Sequence, residues 1–146
     1  IHRRSSATRI RPYGAPEARA FIERVLPSAP DVAIQIAHLT GGGTLDDPKV
    51  DEALTEFIRA FRAKDARVAH VWMEVSGIAG YGNWREKATL IAQRIREIGM
   101  ERVLYGSDSA NGGGLTPRAA WAAFRELPLS EEEFRTIATN VAPYMR

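Results

Sequence analysis

The sequence predicts an α/β protein, the second half of a (β/α)8 TIM-type barrel with parallel strands alternating with helices, and three observations predict it. Strand-like and helix-like periods alternate with no long linker and no low-complexity segment. The predicted strands end at even intervals, at His38, near Glu74 and at Asp108, 36 and 34 residues apart. Polar residues stand at those ends, where a barrel of this kind builds its active site. A unit of about 35 residues repeated eight times gives roughly 280, the size of a whole barrel. The 146 residues are therefore expected to form one domain, 1–146, holding about four units of a longer chain.

The elements follow in order. A helix is predicted from Pro16, with Ala18, Phe21, Ile22, Val25 and Leu26 on one face and Pro27 closing it. Residues 32–37 (VAIQIA) predict a strand buried on both sides and broken only by Gln35, as in a parallel sheet covered by helices. Asp47 and Pro48 make an N-cap and first-turn pair for a helix with Val50, Ala53, Leu54, Phe57, Ile58 and Phe61 inward. Residues 68–76 predict the next strand. Asn83 with Glu86 resembles a capping box, Ala88, Ile91, Ala92, Ile95 and Ile98 make the helix stripe, and Gly99 stands at the C′ position. Residues 102–106 predict a third strand, Thr116-Pro117 opens a helix through Trp121 and Phe124, and Ser130 with Glu133 opens the last, with Phe134, Ile137, Ala138 and Val141 inward.

Composition narrows the function. Apolar residues make up 45%, enough for a real core, and 20 basic residues nearly balance 18 acidic ones for a formal charge of +2. No basic block extends beyond the first eleven residues, which argues against nucleic acid as partner. The chain has no Cys, which removes thiol catalysis, thiolate metal sites and disulfides. No apolar run approaches the roughly 18 residues of a membrane span, so neither a membrane nor a nucleic acid is expected as partner, and the expected location is cytoplasmic. The chain opens at Ile1-His2 without an initiator Met, and one period back from His38 lands on His2, so it is expected to begin inside a longer protein.

Several polar residues are candidates. His38 ends an apolar strand before a glycine-rich loop, which suits a metal ligand or an acid and base; a hydrogen-bonded core histidine is the alternative. Asp108 shares a face with Leu104 and Gly106 by alternation, and Gly106 is expected to leave room beside its carboxylate. Such a carboxylate binds a divalent cation or accepts a proton, unless it only caps a turn. His2 is a weaker candidate, and Arg3 and Arg4 beside it suit a substrate carboxylate. His70, at the far end of its strand, is read as structural. Glu74 and Ser76 share a parity with Trp72 and are expected to face the mouth, which makes Glu74 a candidate for contact with substrate or with a metal ligand, or the partner of a buried Arg. The Gly41–Gly43 run lacks both GK[ST] and GxGxxG spacing, so a tight loop is preferred to a phosphate cradle.

The segments Ile34-Gln35-Ile36-Ala37-His38-Leu39-Thr40-Gly41-Gly42, Val71-Trp72-Met73-Glu74-Val75-Ser76-Gly77, Arg102-Val103-Leu104-Tyr105-Gly106-Ser107-Asp108 and Thr139-Asn140-Val141-Ala142 together resemble the C-terminal half of the amidohydrolase-related metal-dependent hydrolases, in the branch that includes aminocarboxymuconate-semialdehyde decarboxylase. The resemblance implies a (β/α)8 barrel with one catalytic divalent metal, commonly zinc. It places His2 and Asp108 on the metal and His38 at the substrate and its water. The family's HxH pair is missing, and Ser109-Ala110-Asn111-Gly112 stands where the family often has an aromatic and a proline. The expected function is a metal-dependent hydrolase of a small polar or carboxylated substrate. A nonoxidative decarboxylase of the same superfamily and a noncatalytic phosphate- or nucleotide-binding domain are the alternatives. A barrel half standing alone would bury its open edge as a homodimer.

Overall fold

Three short parallel strands, β1 (Ile34–Ile36), β2 (Val71–Glu74) and β3 (Val103–Leu104), lie side by side in the order β1-β2-β3. They belong to a computed structural model that describes residues 13–41, 45–109 and 114–145. Before them stands α1 (Ala15–Ala20), between them run α2 (Pro48–Arg62) and α3 (Trp84–Ile98), and after them come α4 (Pro117–Phe124) and α5 (Glu131–Thr139). The alternation of strand and helix is thus as expected. The remnant strand proposed at Ile1-His2 lies outside the described residues, as do Arg3 and Arg4.

The strands are shorter than their apolar runs. Val32 is 54% exposed and donates its N–H to Ala29 in a turn, so it precedes β1. Val68 belongs to a tight turn capped by Asp65. The second face of the sheet is covered only in part, over Glu74 and Leu104. Ile36, Val71, Met73, Val75 and Val103 are buried in one core with the stripes of α2 and α3, whereas Gln35 and Trp72, on the opposite face, are only half-buried. The alternation expected for β2 is therefore present, with Val71, Met73 and Val75 toward the helices.

Helix ends explain most of the boundaries. Asp47 accepts the N–H of Lys49, Thr116 that of Ala119, and Ser130 with Glu133 forms a full capping box. Asn83 caps nothing with its side chain, so the predicted box at α3 does not form. After α1 the backbone widens into a π-turn, where Leu26 N–H reaches Phe21, and the extra residue carries Val25 out to 49% exposure while Phe21, Ile22 and Leu26 stay buried. The inward placement expected for Val141 also fails, because α5 stops at Thr139 and Val141 is exposed. At the end of α2, Asp65 N–H bonds Ala60 and Lys64 N–H bonds Phe61, a Schellman motif with Lys64 at φ 52. Glycine suits that conformation better, so Lys64→Gly is expected to add about 1 kcal/mol. The melting temperature should then rise by roughly 3 °C.

An ion pair joins α3 to α5. Arg96 donates to both oxygens of Glu133 at 2.6 and 2.9 Å, and with the Ser130 N–H it lowers the Glu133 carboxyl from 4.5 to about 2. Because the folded state holds this carboxyl below its unfolded value, the contribution is fully present above pH 4.5 and is lost as pH falls toward about 2. Glu133→Gln keeps the capping-box acceptor and removes the charge. Its deficit in melting temperature is expected to be constant above pH 5 or so and to shrink below it. A deficit independent of pH down to about 3 would assign it to packing.

Among the described residues no helix is long and apolar enough to cross a membrane.

Candidate functional site

The carboxyl ends of β1, β2 and β3 converge on a small polar cluster. Immediately after β1 the chain reverses: His38, Leu39 and Thr40 have φ of 53, 46 and 85°, three consecutive non-glycine residues in the left-handed region. Each such residue costs on the order of 1–3 kcal/mol and persists only where its surroundings impose it. Here the surroundings are visible. Leu39 and Thr40 are wholly buried, and Thr40 Oγ1 donates to the Val50 carbonyl at 3.1 Å. The apolar Leu39 is drawn into the core and turns the chain, leaving His38 at the rim with its ring buried.

Glu74 ends β2 and is buried on the face where alternation places it. Its carboxylate accepts from the His38 N–H at 3.2 Å, the Ser76 N–H at 2.7 Å and the Ser76 hydroxyl at 2.8 Å. Among the described residues no Arg forms a buried ion pair with it. Both Glu74 oxygens are therefore engaged by donors of this chain. His38 Nδ1 lies 2.9 Å from the Ser76 carbonyl and 3.0 Å from its hydroxyl. Gly77, at φ 66°, follows in a conformation that favours glycine, and a Cβ there would stand 3.6 Å from His38 Nδ1 and 3.8 Å from Asp108 Oδ2. The two predicted catalytic residues thus border one space.

Asp108 lies four residues past the end of β3, exposed and at φ 50°. Asp and Asn tolerate this region better than most. Strand alternation does not extend to it, and the room left by Gly106 serves Glu74 instead: a Cβ on Gly106 would overlap Glu74 Oε1 and stand 3.3 Å from its Cδ. Among the described residues no hydrogen bond or ion pair involves the Asp108 carboxylate. The turn it follows is closed by Ser107, whose hydroxyl accepts from Ser109 N–H. His70 is exposed at the opposite end of β2, away from the cluster.

Two further residues support this arrangement. Ser76 links Glu74 to His38; its parity with Trp72 and Glu74 placed it toward the mouth, but nothing in the sequence marked it as the bridge between the two. Asn140, one residue past α5, donates its amide to the carbonyls of Met100 and Val103 at 2.7 and 2.8 Å, which fastens the C-terminal segment to β3. Beside it an open cavity of about 300 Å³ lies on the half-buried face of the sheet, lined by Gln35, Glu74, Tyr105 and Asn140 among others. The Tyr105 hydroxyl is buried with no hydrogen-bond partner among the described residues, and burial, then the Glu74 charge, push it above the usual phenol range. Its ring is held edge-on to Trp121 at 4.8 Å, in a cluster with Phe124 and Phe134. A second cavity, of about 330 Å³ under α1 and α2, holds none of the candidate residues; Arg19 and Arg59 there pair with Glu56, and Arg67 with Asp65.

Among the described residues no group of three or more His, Asp or Glu side chains could hold a metal ion. Of the two expected ligands only Asp108 is described, and its exposed hard-oxygen donor suits a divalent cation. With Glu74 already occupied, the described part does not complete a metal site.

Titratable side chains gathered at the carboxyl ends of parallel strands, on backbone bent into the left-handed region, define a parallel α/β protein of the enzyme type. A model of the Amidohydro_2 family, the amidohydrolases, matches residues 14–140. The chain belongs to that family, whose members are enzymes of the hydrolase type. No curated protein and no solved structure matches it.

Proposed function

We propose that the protein is a metal-dependent hydrolase of the amidohydrolase type, whose (β/α)8 barrel includes this sheet and its helices, acting on a small polar or carboxylated substrate through a metal-activated water. The observation that carries this reading is the approach of His38 and Asp108 to one space over Gly77, from the ends of two different strands. A divalent ion, zinc in this reading, supplies Lewis acidity and a water of lowered pKa. His2 and Asp108 would hold it, and His2 lies outside the described residues. Asp108 is exposed, so its carboxylate is accessible to a substrate or water entering that space. His38 is held at the rim by the burial of Leu39 and Thr40, and Arg3 and Arg4 are the candidates for a substrate carboxylate.

A nonoxidative decarboxylase would use the same pair, and the released product, carbon dioxide or an amine or acid, separates the two reactions. The phosphate-binding alternative finds little support. The N-terminus of α2 is already capped by Asp47 and carries Asp51 in its first turn, after Asp46, so its charge repels an anion. Gly41 is small because Val50 is in the way, 2.6 Å from where a Cβ would stand. Metal analysis of the full chain is expected to find about one divalent ion per protein, bound at least roughly tenfold more weakly in Asp108→Ala. Turnover by thoroughly demetallated protein would overturn the reading.

A further inference from the structure

We infer that Glu74 is a positioning residue for His38: acting through the Ser76 hydroxyl, its carboxylate fixes the imidazole as the Nδ1–H tautomer and makes Nε2 the proton-accepting side of the ring. For the part His38 plays in turnover this rests on the proposed hydrolase function; the tautomer itself does not.

Two neighbours of Nδ1 lead to the same proton. The Ser76 carbonyl, at 2.9 Å, can only accept, so Nδ1 must carry a hydrogen to bond it. The Ser76 hydroxyl, at 3.0 Å, has one hydrogen, and that hydrogen is directed to Glu74 Oε2 at 2.8 Å. The side of Oγ facing the ring is therefore a lone pair, again an acceptor. The hydroxyl keeps this orientation because Glu74 cannot donate to it. Three donors converge on the carboxylate, the other two being the backbone N–H groups of Ser76 at 2.7 Å on Oε1 and His38 at 3.2 Å on Oε2. An ionised carboxylate accepts at both oxygens and brings no hydrogen of its own; an amide would set an N–H₂ against one or more of these donors.

The same carboxylate thus ties the backbone after β1 to the backbone after β2, on either side of the imidazole. Gly106 makes the space it occupies. The chemical consequence is directional. A neutral His38 takes a proton at Nε2, and it can donate from Nε2 only after becoming imidazolium. A role for neutral His38 as an oxyanion donor is therefore excluded in this arrangement, and a role as base, or as acid once protonated, is retained.

The test is nitrogen NMR of the full chain labelled on its three histidines, without added metal or substrate and at a pH where the rings are neutral, with His38 assigned by its loss in His38→Gln. The wild type is expected to show a protonated Nδ1 and an unprotonated Nε2. Glu74→Gln frees the Ser76 hydroxyl to turn toward the ring and should lower the Nδ1–H to Nε2–H ratio about tenfold or more, the scale of one charge-assisted hydrogen bond. Ser76→Ala removes the hydroxyl alone and should lower the ratio by less, which keeps a measurement in hand if Glu74→Gln does not fold. A wild-type Nε2–H tautomer, or an unchanged ratio in whichever variant folds, would overturn the inference. Because no metal or turnover enters the readout, its failure and that of the hydrolase reading are separate results.

Discussion

Gly106→Ala should lower stability by about 3–5 kcal/mol, far more than a methyl group added at an exposed loop. The added Cβ would overlap Glu74 Oε1 and stand 3.3 Å from its Cδ. A flexible side chain would move aside, but Glu74 accepts from three donors on two strand ends, and moving it leaves a buried carboxylate and two backbone N–H groups unsatisfied. The expected loss corresponds to roughly 10 °C or more in melting temperature. A double-mutant cycle isolates the cause. In a Glu74→Ala background the obstacle is gone, so the added cost of Gly106→Ala should fall below about 1 kcal/mol. Equal costs in both backgrounds would mean that Gly106 is needed for its own backbone and not for the carboxylate.

How far this arrangement was legible in the sequence depends on the range of the interaction that makes it. Among the described residues periodicity located the three strands and the five α-helices, because the stripe of α3 and the alternation of β2 are properties of neighbouring residues. Strand length was overestimated, since apolar residues such as Val32 and Val68 also serve in turns at strand ends. The two-sided burial expected for residues 32–37 holds only in part, with Gln35 half-buried, because a run such as VAIQIA does not say what covers its second face. Gly106 was noticed but given the wrong neighbour. Alternation along one strand pointed to Asp108, whereas the atom that needs the space belongs to the adjacent strand, and register is set by pairing across the sheet. The left-handed turn at His38 had no local signature, because Leu39 and Thr40 are not turn residues. Burial forces their conformation, and burial is a tertiary property.

His38→Asn and Asp108→Asn should each lower turnover by about 10²–10⁴-fold, with the fold retained. Both replacements are chosen for backbone reasons. His38 and Asp108 sit at φ 53 and 50°, where Asn is among the residues best tolerated, so neither substitution adds strain. What each removes is proton exchange: an amide at 38 or 108 neither accepts nor releases a proton near neutral pH. If the two groups act as a pair across the space over Gly77, the double variant should be little worse than the worse single one, because residues that work as a unit lose their effect together. Multiplicative losses would instead make them independent contributors. The strained turn gives the loss at position 38 its meaning. Three left-handed residues in succession oppose folding and are held by Leu39 in the core and Thr40 on Val50. Such a conformation is retained where the site needs it. Full turnover in His38→Asn would leave the turn as a packing consequence of Leu39 alone, and it would remove His38 from the chemistry.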